Sequence, residues 1–400
     1  MNAVTRSRSS LAHSVRSRGA SVGIAASILL ASVGSMPGCV QHMDPKQARA
    51  EFSSKNQSIA SAQSAGRPTP VLPPVGSGPV ELGAPTMENG SEARAREASE
   101  IARLQSSEAQ ALLRAAARSS WAALRAHAIE AAVANPELLA ELAPAGLADE
   151  NRGVRFVTCM AIAEKPSADL AVLVQPLVAD ESDSVKASAM LALSRCGKSI
   201  DPGPIAAMAF SNNPEVRSNA YLVLGEMGNR TAVPLIYDSL SKGLELVNPV
   251  RVRLIGLAAS EALVKLGQAG EIEPIRAALF APPEQSELTV VACGAIGRLK
   301  DEVARPMLER LLTVGGDARR SPEIRLSAAT ALMELGGNPK LAVAVAQEYL
   351  GNSDPRVRAV VAVLLGKARC PEATTILTNL IRDTDPTVQV AAAAGLEAMD

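Results

Sequence analysis

Apolar positions in this chain recur with the spacing of a helix and, on a longer scale, with the spacing of a repeat. From about residue 105, an apolar anchor opens a helical segment at Leu124, Val154, Val185, Val216, Ile255, Leu288, Ile324, Val357 and Val388. The intervals are 30, 31, 31, 39, 33, 36, 33 and 31 residues. With the anchor as position 0, position +4 is Ala in seven of nine segments, including Ala128, Ala189, Ala220, Ala328 and Ala392. Position +8 is always apolar, from Ala132 and Ile162 to Leu365 and Leu396. Positions 0, +4, +7 and +8 fall on one face of an α-helix, so each anchor predicts a helix with one apolar stripe. A small residue at +4 lets a neighbouring helix come close.

The turn residues agree with this register. Asn213-Pro214, Ser321-Pro322, Asp354-Pro355 and Asp385-Pro386 stand three and two residues before their anchors. There a side-chain oxygen caps exposed amides, and proline suits the first helical position because its missing N–H has no intrahelical role. Asn248-Pro249 lies further upstream of Ile255 and predicts about two extra helical turns. Gly197, Gly228, Gly267 and Gly336 all fall at +12, where a left-handed residue ends a helix. A shorter apolar helix precedes each anchor helix, for example Ala373 to Ile381 or Val303 to Leu312. Each unit therefore reads as a helical hairpin.

The pattern resembles the HEAT-repeat family, particularly the short bacterial repeats of bilin-lyase-like proteins. Val357-Arg358 through Leu365-Gly366 and Val216-Arg217 through Leu224-Gly225 carry the resemblance best. It implies an all-α fold, an α-solenoid in which about nine HEAT-like hairpins stack into a right-handed superhelix. One hairpin cannot bury its own apolar face, so stacking must supply the core. At about 10 Å per stacked hairpin, the solenoid is expected to be a rod roughly 90 Å long.

Composition supports the array. Apolar residues make up 47% of the 400-residue chain but aromatics only 2%, which suits closely packed helices better than sheets. A net charge of −1 removes a general electrostatic case for nucleic acid as a partner. The five cysteines include no CxxC pair, and an odd number argues against full pairing. Cys159, Cys196, Cys293 and Cys370 lie in helical patterns, where a thiol packs as a small hydrophobe.

The N-terminus reads as an address. Residues 1–43 contain no acid; Arg6, Arg8, Arg16 and Arg18 precede an apolar stretch from about Ala20 to Val33. That stretch is too short for a comfortable transmembrane helix and fits a secretory signal over 1–38. Ser35-Met36-Pro37-Gly38-Cys39 resembles the lipobox of bacterial lipoproteins at Gly38 and Cys39, and departs from it at Met36 and Pro37. The resemblance implies lipid on Cys39, export, and a membrane-attached protein facing the periplasm; the other readings of the segment are ordinary cleavage into a soluble protein and an uncleaved signal anchor. Residues 39–90, rich in Ser, Gly and Pro, read as an extended tether. The solenoid is expected over 91–400.

Little in the chain points to chemistry. His127 is the solenoid's single histidine and reads as a partly exposed helix residue. Deoxyhypusine hydroxylases share the repeat but bind iron through several His-Glu pairs, which this sequence lacks. No metal site, cofactor or small-molecule site is evident. What recurs is a cation at +1: Arg125, Arg155, Lys186, Arg217, Arg325 and Arg358. Family resemblance implies an inter-repeat ladder of Arg–Asp pairs; the other reading is a basic stripe for an acidic peptide or polymer. Asp149, Glu150, Asp180, Glu181 and Asp354, in the turns preceding these cations, are the acids within reach. At +10 the signs mix (Glu164, Arg195, Glu226, Lys265, Arg298, Glu334, Lys367), as on a solvated face with pairing across the stack. The last helix, Val388 to Met399, lacks the polar cap that a terminal repeat needs, so either its small side chains expose little or a partner covers it. Together these features describe an anchored protein-binding scaffold that holds a protein partner along its concave face. The alternative is a lyase-like enzyme or a substrate-handling accessory protein.

Overall fold

The structure, a computed structural model, describes residues 105–245, 247–313 and 320–399. The signal segment 1–38, Cys39, the linker 39–90 and the expected first residues of the solenoid, 91–104, lie outside them. Among the described residues there is no strand, and short outer helices alternate with longer inner ones. The first four hairpins are α1 (described over 105–116) with α2 (Ala122–Ala132), α3 (Pro136–Leu147) with α4 (Arg152–Glu164), α5 (Ala168–Val174) with α6 (Asp183–Arg195), and α7 (Gly203–Met208) with α8 (Pro214–Met227). Next come α9 (Val233–Leu240) with α10 (Pro249–Lys265), α11 (Ile272–Ala278) with α12 (Ser286–Leu299), and α13 (Arg305–Thr313) with α14 (Pro322–Glu334). The last two are α15 (Pro339–Gln347) with α16 (Pro355–Ala368) and α17 (Pro371–Leu380) with α18 (Pro386–Glu397). This is an α-solenoid of helical hairpins.

Local chemistry sets the ends. The side chains of Asn213, Asn248, Asp354 and Asp385 each accept from the backbone N–H two residues on, capping α8, α10, α16 and α18. Ser321 makes no such bond, so α14 starts on Pro322 alone. Gly197, Gly228, Gly267 and Gly336 all adopt positive φ, between 69° and 95°, as helix-ending residues do. Helix α10 has 17 residues against 14 in α8. Its anchor sits four places deeper, so it gains about one turn, fewer than the Asn248-Pro249 position predicts.

The inner helices are apolar all round and correspondingly enclosed. Residues 324–332 of α14, 157–163 of α4 and 187–193 of α6 are buried without a break. A helix buried over two consecutive turns has neighbours on every side. Leu326, at +2 and thus opposite the anchor, is fully buried and belongs to the same cluster as Met160, Leu191 and Val390. The concave face expected to hold a partner is therefore core along these helices. That face is only half-buried at Ala126 of α2, Phe156 of α4, Ser218 and Leu222 of α8, Ala258 of α10 and Val290 of α12.

Nor is the array an open rod. Each inner helix packs on the next, and the last, α18, packs on the first, α2. One cluster joins Ala109, Leu113, Leu124 and Ala128 to Val388, Ala392 and Leu396. The buried carboxylate of Glu397 accepts from Ser106, Gln110 and Asn135, and Gln105 donates to Thr378. The apolar C-terminal helix is thus covered by the chain's own first unit. A closed ring has no terminal repeat to cap, which explains why α18 can be so rich in alanine.

Close helix contacts make the curvature possible. A Cβ on Gly366 of α16 would stand 2.8 Å from Cα of Gly395 in α18, and one on Gly225 of α8 would stand 2.9 Å from Cα of Ala262 in α10. Ala328, at +4 of α14, is likewise fully buried. Ala328→Leu is expected to overpack that site and cost about 1–3 kcal/mol in denaturant unfolding; an unchanged transition midpoint would contradict the register.

Candidate functional site

The +1 cations occupy one rim of the ring, at the N-terminal ends of the inner helices. Arg125 meets Asp149 with two bonds of 2.7 Å, Arg155 meets Asp180 at 2.8 and 3.0 Å, and Arg358 meets Asp383 with two of 2.8 Å. In each pair the acid stands five residues before the next anchor. The acids come from the following loop, therefore, and not from the preceding turns, where sequence reasoning sought them. The preceding loop supplies carbonyls instead: Ser119 and Ser120 to Arg125, Asp149 and Glu150 to Arg155, Asn352 and Ser353 to Arg358. Asp354, sought as a partner, caps α16 and pairs with Arg356.

Each aspartate also accepts from the backbone N–H two residues on, in Asn151, Ser182 and Asp385. One guanidinium thus ties its own loop to the next through a charge-assisted fork. Burial works against ionisation of Asp383, but the hydrogen bond from Arg358 holds its carboxyl below the usual range. An acid at −5 was readable from the sequence as the missing half of each pair.

Three +1 cations depart from this scheme. Lys186 pairs within its own helix with Asp183 at 2.8 Å. Arg325 pairs with Glu348 and Tyr349 at the end of α15, because position −5 of the next unit is Asn352. Arg217 is fully buried and donates to the carbonyl oxygens of Ser211, Ser239 and Lys242. As an accessible basic stripe the set is poorly suited, since the forked arginines are largely covered by the loops they join. Cys39 lies outside the described residues.

The opposite rim carries the +10 residues, and they are not a solvated face. Glu226 takes Arg195 at 3.1 Å and Lys265 at 2.8 Å; Lys265 reaches Glu261 at 2.8 Å; Arg298 forks onto Glu261 at 2.7 and 2.8 Å. Lys367 reaches Glu334 at 3.1 Å. The carboxylates of Glu226, Glu261 and Glu334 are nearly covered, so the belt crosses the inner helices as a buried ion chain.

Groups that could do chemistry are committed to packing. Burial pushes the thiols of Cys159 and Cys293 up to about 12, which disfavours the nucleophilic thiolate. His127 is buried, contrary to expectation, because α2 is closed over by α18; its Nδ1 lies 3.1 Å from Glu130 Oε2. Glu130 Oε1 has no hydrogen-bond partner, and burial raises the Glu130 carboxyl above its ordinary value. A raised carboxyl stabilises the fold at low pH and forfeits that contribution as pH climbs through its folded value. Glu130→Gln is expected to unfold at a higher temperature than the parent at pH 8, with the gap shrinking toward pH 5; a gap that widens on acidification would contradict this. Among the described residues no cluster of His, Cys, Asp and Glu could hold a metal, and no helix is long and apolar enough to cross a membrane.

No protein-family model matches the sequence, and no curated protein does. Solved structures that match include an engineered protein at 21% identity, covering 50% of this chain and 97% of its own, with a TM-score of 0.28. Human deoxyhypusine hydroxylase in complex with glycerol matches at 18% identity over 67% of this chain and 97% of that one, with a TM-score of 0.34. Kap121p bound to Ste12p matches at 12% identity over 72% of this chain and 40% of that one, with a TM-score of 0.29.

Proposed function

We propose that this chain is a protein-binding scaffold of the bacterial cell envelope, exported and held to a membrane by lipid on Cys39. The observation that carries the reading is where the polar groups go. Both rims of the ring spend their charges on joining one unit to the next, and the thiols of Cys159 and Cys293 and the His127 imidazole are buried in packing. Such a body offers shape and surface. With the inner face filled, its binding surface is the outer helices and their loops, where Val172, Leu173, Tyr237, Phe280 and Val303 stand exposed. Of these, the Tyr237 ring is the kind of side chain that most often anchors a protein contact. The long Ser/Gly/Pro-rich tether, on this reading, holds the ring away from the bilayer.

The test is crosslinking and affinity capture of the full-length protein from its own membranes, with intact-mass analysis of its N-terminal peptide. A diacylglyceryl mass on Cys39, and one stoichiometric partner crosslinked to outer-helix residues, are the expected results. An unmodified Cys39 would remove the anchor. A partner crosslinked only through the inner helices, or none at all, would remove the scaffold reading.

A further inference from the structure

Arg217 breaks the rule that its counterparts follow. Arg125, Arg155, Arg325 and Arg358 each receive a carboxylate from the following unit. Arg217 receives none from the described residues, although it is the most buried of the series. Its Nε and Nη1 donate to carbonyls at 2.7–3.1 Å, and its Nη2 is buried with no acceptor. Burial also raises the Tyr221 phenol, though Ser239 and Arg217 oppose it, so the ring beside Arg217 stays neutral and supplies no charge.

The cause lies in the chain's longest repeat interval. Position −5 from Ile255 is Val250, which the extra turn of α10 takes into the helix. The register that holds Asp149, Asp180 and Asp383 elsewhere is thus consumed, and the loop after α9 wraps Arg217 in backbone oxygens instead. A desolvated guanidinium facing only dipoles is costly, and adding an anion recovers several times more there than at the surface.

Access to Nη2 is guarded by one glycine and one side chain. A Cβ on Gly243 would stand 3.3 Å from Arg217 Nη2 and 2.7 Å from Asn212 Oδ1, so the Asn212 side chain fills the space beside that glycine next to Nη2. Gly243 has φ of 71°, and Asn212 is exposed. On the proposal that follows, the exposed Asn212 side chain turns aside to admit the ligand, and the three carbonyl bonds stay in place.

We propose that Arg217 is an anion site, at which an external carboxylate or phosphate oxygen takes the place that aspartate fills in the other units. A free inorganic anion and an acidic side chain of a peptide share that chemistry, and the site does not depend on the scaffold reading.

The experiment is thermal unfolding of the full-length protein with sodium phosphate or a short polyglutamate peptide, against chloride at equal ionic strength. A saturable rise of about 2–5 °C is expected. Saturation by phosphate alone would mark a free-anion site, and tighter saturation by the peptide would mark a carboxylate-docking one. Asn212→Asp, which brings an acid to that space, is expected to raise the melting temperature in chloride and abolish the response, while Asn212→Ala keeps it. Equal melting curves in all three media, or an unchanged response in Asn212→Asp, would overturn the proposal.

Discussion

Ala393→Asp is expected to cost about 3–5 kcal/mol of unfolding free energy, the range for an uncompensated charge in a packed interior. Ala393 lies on α18 one turn before Glu397, on the side of the helix that meets the first unit. In an open solenoid that side would be the free end of the stack, and an aspartate there would be nearly harmless. In the ring it is fully buried, with α2 against α18. Ala277→Asp on α11, where the side chain is exposed, supplies the control; it should cost only the difference in helix propensity, about 0.7 kcal/mol. Denaturant unfolding of both variants decides between ring and rod. Equal losses would mean that the first and last units do not close in solution. A ring opened by the charge would also expose two apolar helix faces, so Ala393→Asp should self-associate in light scattering where Ala277→Asp does not.

How much of this was legible follows from the range of each signal. The hairpin register was local: an anchor, a small residue at +4, a cap before and a glycine after are all fixed within one turn or two. All four read directly onto α8, whereas α16 keeps the anchor and the cap, and α18 the anchor, the cap and Ala392. Closure was not local, because it depends on the sum of small rotations between successive units, and no single residue encodes that sum. The apolar α18 was its one visible sign, and a covering partner was already among the readings; the partner is residues 105–132 of the same chain. Burial of the inner face was equally hard to read. Position +2 looks like the solvent face of an amphipathic helix, but Leu326, Ala359 and Val390 there are buried. Their apolar character was the available clue. The rim ladder was half legible, since the arginines were found but their acids were assigned to the wrong side of each loop.

Two glutamates at the same register show how far the stack decides the chemistry. Glu130 and Glu261 both stand at +6 of inner helices, and both are buried. Around Glu130 the +10 residues of its own helix and the next are Ala134 and Glu164; around Glu261 they are Lys265 and Arg298. Burial raises Glu130 accordingly, whereas for Glu261 it is outweighed by Arg298 and Lys265, which hold the carboxyl far below its ordinary value. The consequences have opposite signs. Glu261 contributes stability that is complete above its unfolded value of 4.5 and is lost only as pH falls toward the depressed folded one. Glu261→Gln keeps the shape and leaves two cations facing each other across the seam between α10 and α12. It is therefore expected to cost about 3–5 kcal/mol. The deficit should be constant from pH 8 to pH 5 and narrow below that, where Glu130→Gln shows a gain confined to the alkaline side. Replacing the ion pair as a whole, by Glu261→Leu with Arg298→Met, should recover most of the loss, because an apolar pair of similar volume carries no desolvation cost. A double variant as unstable as Glu261→Gln would mean that the belt acts through more than this pair, with Glu226 and Glu334 bound into one unit. A Glu261→Gln deficit that already shrinks between pH 8 and pH 6 would show that Arg298 and Lys265 do not hold the carboxylate charged.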